Sequence, residues 1–178
     1  LAQGNLRPLR RTVLTVEVGG RVVWRNDALR RGAEVAAGAE LLRIDPADYQ
    51  TRLAQARDGL ARAELTVMQE QVQVAQAEAD WQALGREGAP EHPLASRQAF
   101  LRAALAARAA AAAAVAQAER DVARCRLTAP YAGVIGSEAV ELGALVNPGQ
   151  QVGELVDTGT GPILLALTAQ QARLLGWQ

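Results

Sequence analysis

One short motif occurs twice in this chain, and the long stretch between the copies constrains the fold more than any other feature. The first copy runs Gly32-Ala-Glu-Val35-Ala-Ala-Gly38-Ala-Glu-Leu41-Leu-Arg-Ile44, the second Gly143-Ala-Leu-Val146-Asn-Pro-Gly149-Gln-Gln-Val152-Gly-Glu-Leu155. Both glycines, the valine and the two later apolar residues fall at identical offsets. An outlying pair, Gly20-Arg-Val22 and Gly133-Val-Ile135, precedes each copy. Matching half-motifs so far apart predict one small domain closed from both ends of the segment, with everything between them an excursion.

Each half reads as β structure. Thr12 to Val18 alternates as T-V-L-T-V-E-V, the period of a half-buried strand. Gly19-Gly20 breaks it, Val22 to Trp24 resumes it, and Leu41 to Ile44 is a further strand. Gly32, Gly38, Gly143 and Gly149 sit where tight turns demand a residue free to take positive φ. A phosphate cradle is a poor reading of them, because no helix follows the glycine loop. After Arg126 the β pattern returns as L-T-A-P-Y-A-G-V-I-G.

The excursion is helical. Asp45 is a suitable N-cap, Pro46 suits the first helical position, and Asp48 puts negative charge in the first turn. Apolar residues then recur by fours and threes at Tyr49, Leu53, Ala56, Leu60, Ala63, Val67, Val74, Ala77, Trp81 and Leu84, with only Glu70 interrupting. A heptad sustained this long predicts a coiled-coil arm of roughly 60 Å at ~1.5 Å per residue. Gly85 to Pro93 is a Gly/Pro-rich reversal. A second helix is expected from about Leu94 to Arg124, its seam at Leu101, Ala104, Ala111, Val115, Ala118, Val122 and Cys125. Antiparallel pairing of Leu53 with Cys125 sets Leu60 against Ala118 and Val67 against Ala111. It also sets Glu70 opposite Arg108, a candidate ion pair for the register, both reaching solvent being the plainer alternative.

Composition removes several classes of function. The formal net charge is zero, so nothing points to nucleic acid or an anionic membrane surface. Aromatics are 3% of the residues, too few for a large globular core. The single Cys125 excludes an intrachain disulfide and reads as a small buried hydrophobe. His92, alone in the reversal, reads as a solvated loop residue, since no ligand cluster accompanies it. Trp81, opposite Arg97, reads as a seam residue under a guanidinium. No nucleophile–base pair or paired carboxylates stand out, so no enzyme is expected. The alanine run from Ala103 to Ala118 contains Arg108 and is expected to be too weakly apolar for a bilayer.

A sandwich of two similar halves resembles the biotinyl/lipoyl carrier fold. All 19 basic residues are arginine, so neither cofactor has the lysine it needs, and no cofactor or metal is expected. Split lipoyl halves around a helical hairpin resemble the periplasmic adaptor subunits, or HlyD-like membrane fusion proteins, of tripartite efflux and secretion systems. The stretches carrying this are G-R-V-V-W, G-A-E-V-A-A-G-A-E-L-L-R-I-D-P-A-D-Y with L-x-x-A-x-x-x-L-A-R-A, and L-T-A-P-Y-A-G-V-I-G-S-E-A-V-E-L-G-A-L-V-N-P-G-Q, together roughly Thr12 to Asp157.

The resemblance implies an α+β chain in which a long antiparallel coiled-coil hairpin (residues 46–125) interrupts a lipoyl-like β-sandwich (19–45 and 126–157). Residues 1–18 would lead in from a barrel or membrane-proximal region, and 158–178 would start a β-barrel, with a strand at Ile163 to Leu167 and a short helix at Gln170 to Leu175. It further implies a non-catalytic adaptor of the periplasm, held at the inner membrane. Its partners would be an inner-membrane transporter of the resistance–nodulation–division type, a TolC-like outer-membrane channel, and copies of itself in a ring. Adaptors of that type often carry an Arg-Leu pair with a serine eight residues on at the hairpin tip. Here Leu84, Arg86, Leu94 and Ser96 stand around a Pro-containing insertion and are the candidate channel contacts. An adaptor of an ABC-type exporter or type I secretion system is the alternative within the class. A coiled-coil structural protein is the alternative outside it, and has no use for the duplicated β motif.

Overall fold

The computed structural model describes residues 10–85 and 96–158, and the backbone of 4–6 and 163–165. Two compact units emerge, one from residues 1–45 with 124–178, the other from 46–123. The first holds all the strands among the described residues: β1 (Gly4–Leu6), β2 (Arg11–Thr15), β3 (Gly20–Arg25), β4 (Glu34–Val35), β5 (Glu40–Ile44), β6 (Arg126–Thr128), β7 (Gly133–Glu138), β8 (Leu145–Val146), β9 (Gln151–Asp157) and β10 (Ile163–Leu165). The second unit holds α1 (Ala47–Ala83) and α2 (Gln98–Arg124).

The strands form two four-stranded antiparallel sheets, ordered β2-β9-β7-β4 and β6-β5-β3-β8, while β1 pairs separately with β10. The duplicated motif accounts for the arrangement, because each copy pairs with the strand that precedes the other. Val35 of the first copy stands opposite Gly133, and Val146 of the second stands opposite Gly20. The turn bonds repeat the exchange. The Gly32 amide donates to the Ile135 carbonyl at 2.7 Å and the Gly143 amide to the Val22 carbonyl at 2.9 Å. At the second turn, the Gly38 and Gly149 amides donate to the carbonyls of Ala129 and Val16, both at 2.8 Å. All four motif glycines have φ between 76 and 84°. Closure therefore requires both ends of the chain, and neither half completes a sheet without the other.

Between the sheets, Leu14, Val22, Leu29, Leu41, Leu42, Ile44, Ile135, Val146, Val152 and Leu155 are each no more than 3% exposed. Burial of one such Leu or Ile is worth about 1.5–3 kcal/mol, and this core supplies the cohesion of the β unit. β2 belongs to it. Thr12 to Val18 was expected to lead in from a neighbouring region, but β2 pairs along β9, and Leu14, Val16 and Val18 are buried. Cys125 is also buried here, its carbonyl accepting the Ile44 amide at 2.8 Å, so it is not a seam partner of Leu53.

In the helical unit, the cap position of α1 falls at Pro46, without a side-chain cap bond. Asp45, the expected cap, donates its amide to the Arg21 carbonyl at 2.8 Å. The expected α1 seam is present: Tyr49, Leu53, Ala56, Leu60, Ala63, Val67, Glu70, Val74, Ala77 and Trp81 are buried or half-buried, and the residues between them are exposed. Leu84 departs from it, being 73% exposed. The helices run antiparallel, since Arg57 near the start of α1 meets Glu119 near the end of α2, and Glu70 meets Arg97.

The register differs from the expected one. Pairing Leu53 with Cys125 would put Arg97 level with Trp81, eleven residues beyond Glu70, roughly 16 Å along the axis and out of reach. A slip of one heptad puts Arg97 level with Val74 and Arg57 level with Ala114, each about one turn from its observed partner. The same slip accounts for a shallow groove of about 250 Å³ in which Tyr49, Arg52 and Ala56 face Ala114, Gln117, Ala118 and Asp121. It sets Val67 level with Ala104, both buried, and Leu60 level with Ala111. Large still meets small, because a heptad seam maps onto itself every seven residues. By length and composition alone α2 does pass as a membrane span, with a window of mean hydropathy 1.5. Its alanine run is therefore more apolar than expected, despite Arg108.

Candidate functional site

Among the described residues no group of three or more His, Cys, Asp or Glu side chains could hold a metal, and the ordered polar clusters serve as fasteners. The strongest lies at the start of α2. Arg97 holds both carboxylate oxygens of Glu70, with Nη2 at 2.7 and 2.8 Å and Nε at 3.2 Å, and its guanidinium lies 4.8 Å from the centre of the Phe100 ring. It is also the one non-glycine among the described residues with positive φ, at 57°. An L-residue in that region costs roughly 1–2 kcal/mol, which the charge-assisted fork offsets.

Glu70 is thus engaged by Arg97, and the expected Glu70–Arg108 pair does not form. In the slipped register Arg108 is level with Ala63, and its side chain is exposed. Trp81 is half-buried, and Arg97, expected over its ring, lies over Phe100 instead. Of the candidate tip contacts, Leu84 is 73% exposed while Ser96 is only 4% exposed. Arg86 and Leu94 lie outside the described residues, as do His92 and the segment 170–175.

In the β unit, Gly32, Gly38, Gly143 and Gly149 are brought together in one domain, and an added Cβ at any of them would meet nothing within 4 Å. Their requirement is conformational. Two clusters were not foreseen from the motif. Arg25 ties β3 to the opposite sheet, with Nη2 2.7 Å from Glu138 and 2.6 Å from the Leu29 carbonyl, and Nη1 3.1 Å from Glu141. Glu40 and Arg43 form a fork at 2.8 and 2.9 Å, with Arg43 5.5 Å from the Trp24 ring.

Residues three apart on a regular strand face opposite ways. Here the β5–β6 pairing shifts between Glu40 and Leu42, and the bulge turns Leu41 and Leu42 both inward while Glu40 and Arg43 share the outer side. The adjacent leucines, which break the strand alternation, were the available sequence signal. Hydrogen bonding from Arg43, more than burial opposes it, holds the Glu40 carboxyl below the usual carboxylate range. The same bond raises Arg43 further above its already high value.

Among the described residues the arrangement offers exposed helix faces and sheet faces. Residues 10–158 match the family model for the barrel-sandwich hybrid domain of RND membrane fusion proteins. The chain is 32% identical over 161 residues to the multidrug resistance protein MdtA of Cronobacter turicensis, and 31% identical over the same length to that of Escherichia coli. In both cases the match covers 89% of this chain and 38% of the relative, so the chain spans well under half of their length. Among solved structures, it is similar to a MacA–MexA chimera containing the Pseudomonas aeruginosa MexA α-hairpin domain, with TM-score 0.66 and 22% identity over 88% of this chain and 49% of that one. MacA from Actinobacillus actinomycetemcomitans is likewise similar, with TM-score 0.61 and 20% identity over 92% of this chain and 54% of that one.

Proposed function

Because the chain belongs to the membrane fusion proteins of resistance–nodulation–division (RND) systems, we propose that it works as a periplasmic adaptor held at the inner membrane. It bridges an RND-type transporter to a TolC-like outer-membrane channel for the efflux of small molecules. The observation that carries this reading is the reciprocal ladder, Val35 on Gly133 and Val146 on Gly20, formed by strands that lie on either side of the helical hairpin in the sequence. A coiled coil by itself has no use for the duplicated β motif. The role is mechanical: a helical pair sets a distance, and its end offers a small recognition surface.

Leu84, with Arg86, Leu94 and Ser96, marks the hairpin end that meets the channel. The exposure of Leu84 supports its part, and Ser96, buried in this chain, supports the fold of that end. Lipoyl-like sandwiches of neighbouring copies stand side by side in a ring, and residues from 158 onward open the adjoining β-barrel, its first ladder being β1 with β10.

The reading is tested with the full-length protein in a strain lacking its own adaptor. Wild type is expected to restore drug tolerance and to co-purify with its transporter. Leu84→Asp should abolish tolerance while leaving transporter co-purification and thermal stability unchanged. Full tolerance with Leu84→Asp, or no association with any inner-membrane transporter, would overturn it.

A further inference from the structure

The sequence around Gln98 argues against a helix that begins there. Arg97 sits in the cap position, its carbonyl accepting the amides of Phe100 at 3.0 Å and Leu101 at 3.1 Å. Arginine has no side-chain oxygen to accept from a first-turn amide, as Ser, Thr, Asp or Asn does. Its charge lies at the positive end of the helix dipole, and the first turn of α2 holds no acid. Its φ of 57° is a left-handed value that an L-residue adopts at a cost. Just upstream, Leu94 and Ala95 are strong helix formers, and Pro93 suits a first helical position.

What holds the boundary is Glu70. In the observed register it is level with Leu101, one turn deeper into α2 than Arg97. A helical side chain leans toward the N-terminus of its own helix, so a helical Arg97 would point away from Glu70. With the left-handed backbone the fork forms, and Nη2 binds both carboxylate oxygens at 2.7 and 2.8 Å. The fork and a longer α2 therefore exclude each other. Ser96 follows the same choice. With the fork in place it is 4% exposed, but on a continued helix it would stand one heptad before Ala103, whose side chain is exposed.

We propose that the Glu70–Arg97 fork is an autoinhibitory contact. It holds the start of α2 at Gln98 and keeps Ser96 covered. Its release lets α2 grow by about one turn and presents Ser96 to a partner. A partner that binds the presented serine shifts the population by its preference for that state. The inference goes beyond the adaptor reading and rests on it only for the partner that Ser96 meets.

The test uses the full-length protein with Cys125→Ser and Ser96→Cys, labelled by a maleimide. With the fork intact the reaction is expected to be slow. Glu70→Gln should speed it about tenfold, by releasing a state otherwise populated at a few per cent. The amides of Gln98 and Ala99 should gain protection from hydrogen exchange at the same time, since a longer helix supplies their acceptors. Arg97→Ala should label as fast as Glu70→Gln. Arg97→Gly, free to keep positive φ and poor in a helix, should stay slow. An unchanged rate in Glu70→Gln, or equal rates for Arg97→Ala and Arg97→Gly, would overturn the proposal. So would a fall in protection along Gln98 to Leu101, which marks fraying, or equal speeding of a probe at Val67→Cys, which marks opening of the whole hairpin. None of these readouts involves the transporter or the channel, so failure here leaves the adaptor reading to its own test of drug tolerance and co-purification.

Discussion

At the scale of single residues, two kinds of glycine separate cleanly. Gly32 and Gly143 are needed for positive φ, at 83 and 84°, with open space where a side chain would stand. Gly32→Ala is therefore expected to cost about 1–2 kcal/mol, the penalty of the backbone conformation alone, read as a shift in the denaturant midpoint. Gly133 is needed for contact, since a Cβ there would come within 2.3 Å of the Val156 carbonyl oxygen. Gly133→Ala should cost more than Gly32→Ala, because β7 must move off β9; an equal or smaller loss would refute the distinction.

Glu40 supplies the pH dependence. Its folded-state pKa lies below the ordinary 4.5, so the stability it contributes is fully present above that value and is lost as the pH falls through the lower folded-state one. In Glu40→Gln this acid limb should flatten because the stability is already missing at neutral pH, the variant converging on wild type as the pH falls, as a set of thermal melts from pH 7 downward would report. Arg43 moves in the opposite sense, staying charged to higher pH, and adds nothing in that window.

At the scale of elements, the helical register is where expectation and structure part. Glu70→Ala removes the partner of a strained, part-buried arginine, and about 1–2 kcal/mol of stability should go with it. Arg108→Ala, on an exposed side chain, should stay within about 0.5 kcal/mol. Equal effects in urea unfolding would restore the pairing expected from the sequence. A cysteine pair reports the same choice directly. With Cys125→Ser, Val67→Cys and Ala104→Cys should oxidise to an intrachain disulfide, and Val67→Cys with Ala111→Cys should not, because facing Cα atoms must lie within about 7 Å.

The slip has a plain cause. Heptad seams repeat under a shift of seven, and a face made mostly of alanine changes little in packing energy when moved one repeat along. What tells the two registers apart is the pair of ionic contacts, Arg57 with Glu119 and Glu70 with Arg97, while in the β unit Arg43 pairs with Arg126. The same pairing explains Cys125, read as seam from its spacing but buried in the sandwich as the residue opposite Ile44.

At the scale of the whole molecule, the division into two units makes a prediction of its own. All the ladders that close the sandwich lie outside residues 46–123, so replacing that segment by a short glycine-rich turn should leave a β unit that unfolds cooperatively near the wild-type temperature. In the full-length protein the same replacement should abolish drug tolerance while transporter co-purification persists. Loss of the folded β unit would mean that the helices help to form it.

The two ends of the chain were legible as one domain from residues alone, since glycines at fixed offsets and the alternation around them are local requirements of turns and strands. The heptad, and with it the seam from Tyr49 to Trp81, was equally legible, because a helix face is a matter of spacing. Three things were decided only by tertiary structure: which heptad of α2 meets which of α1, the Glu40–Arg43 fork across a bulge, and the Arg25 link between sheets. Each depends on where distant backbone segments are brought to rest, and periodicity along a chain carries no information about translation between chains.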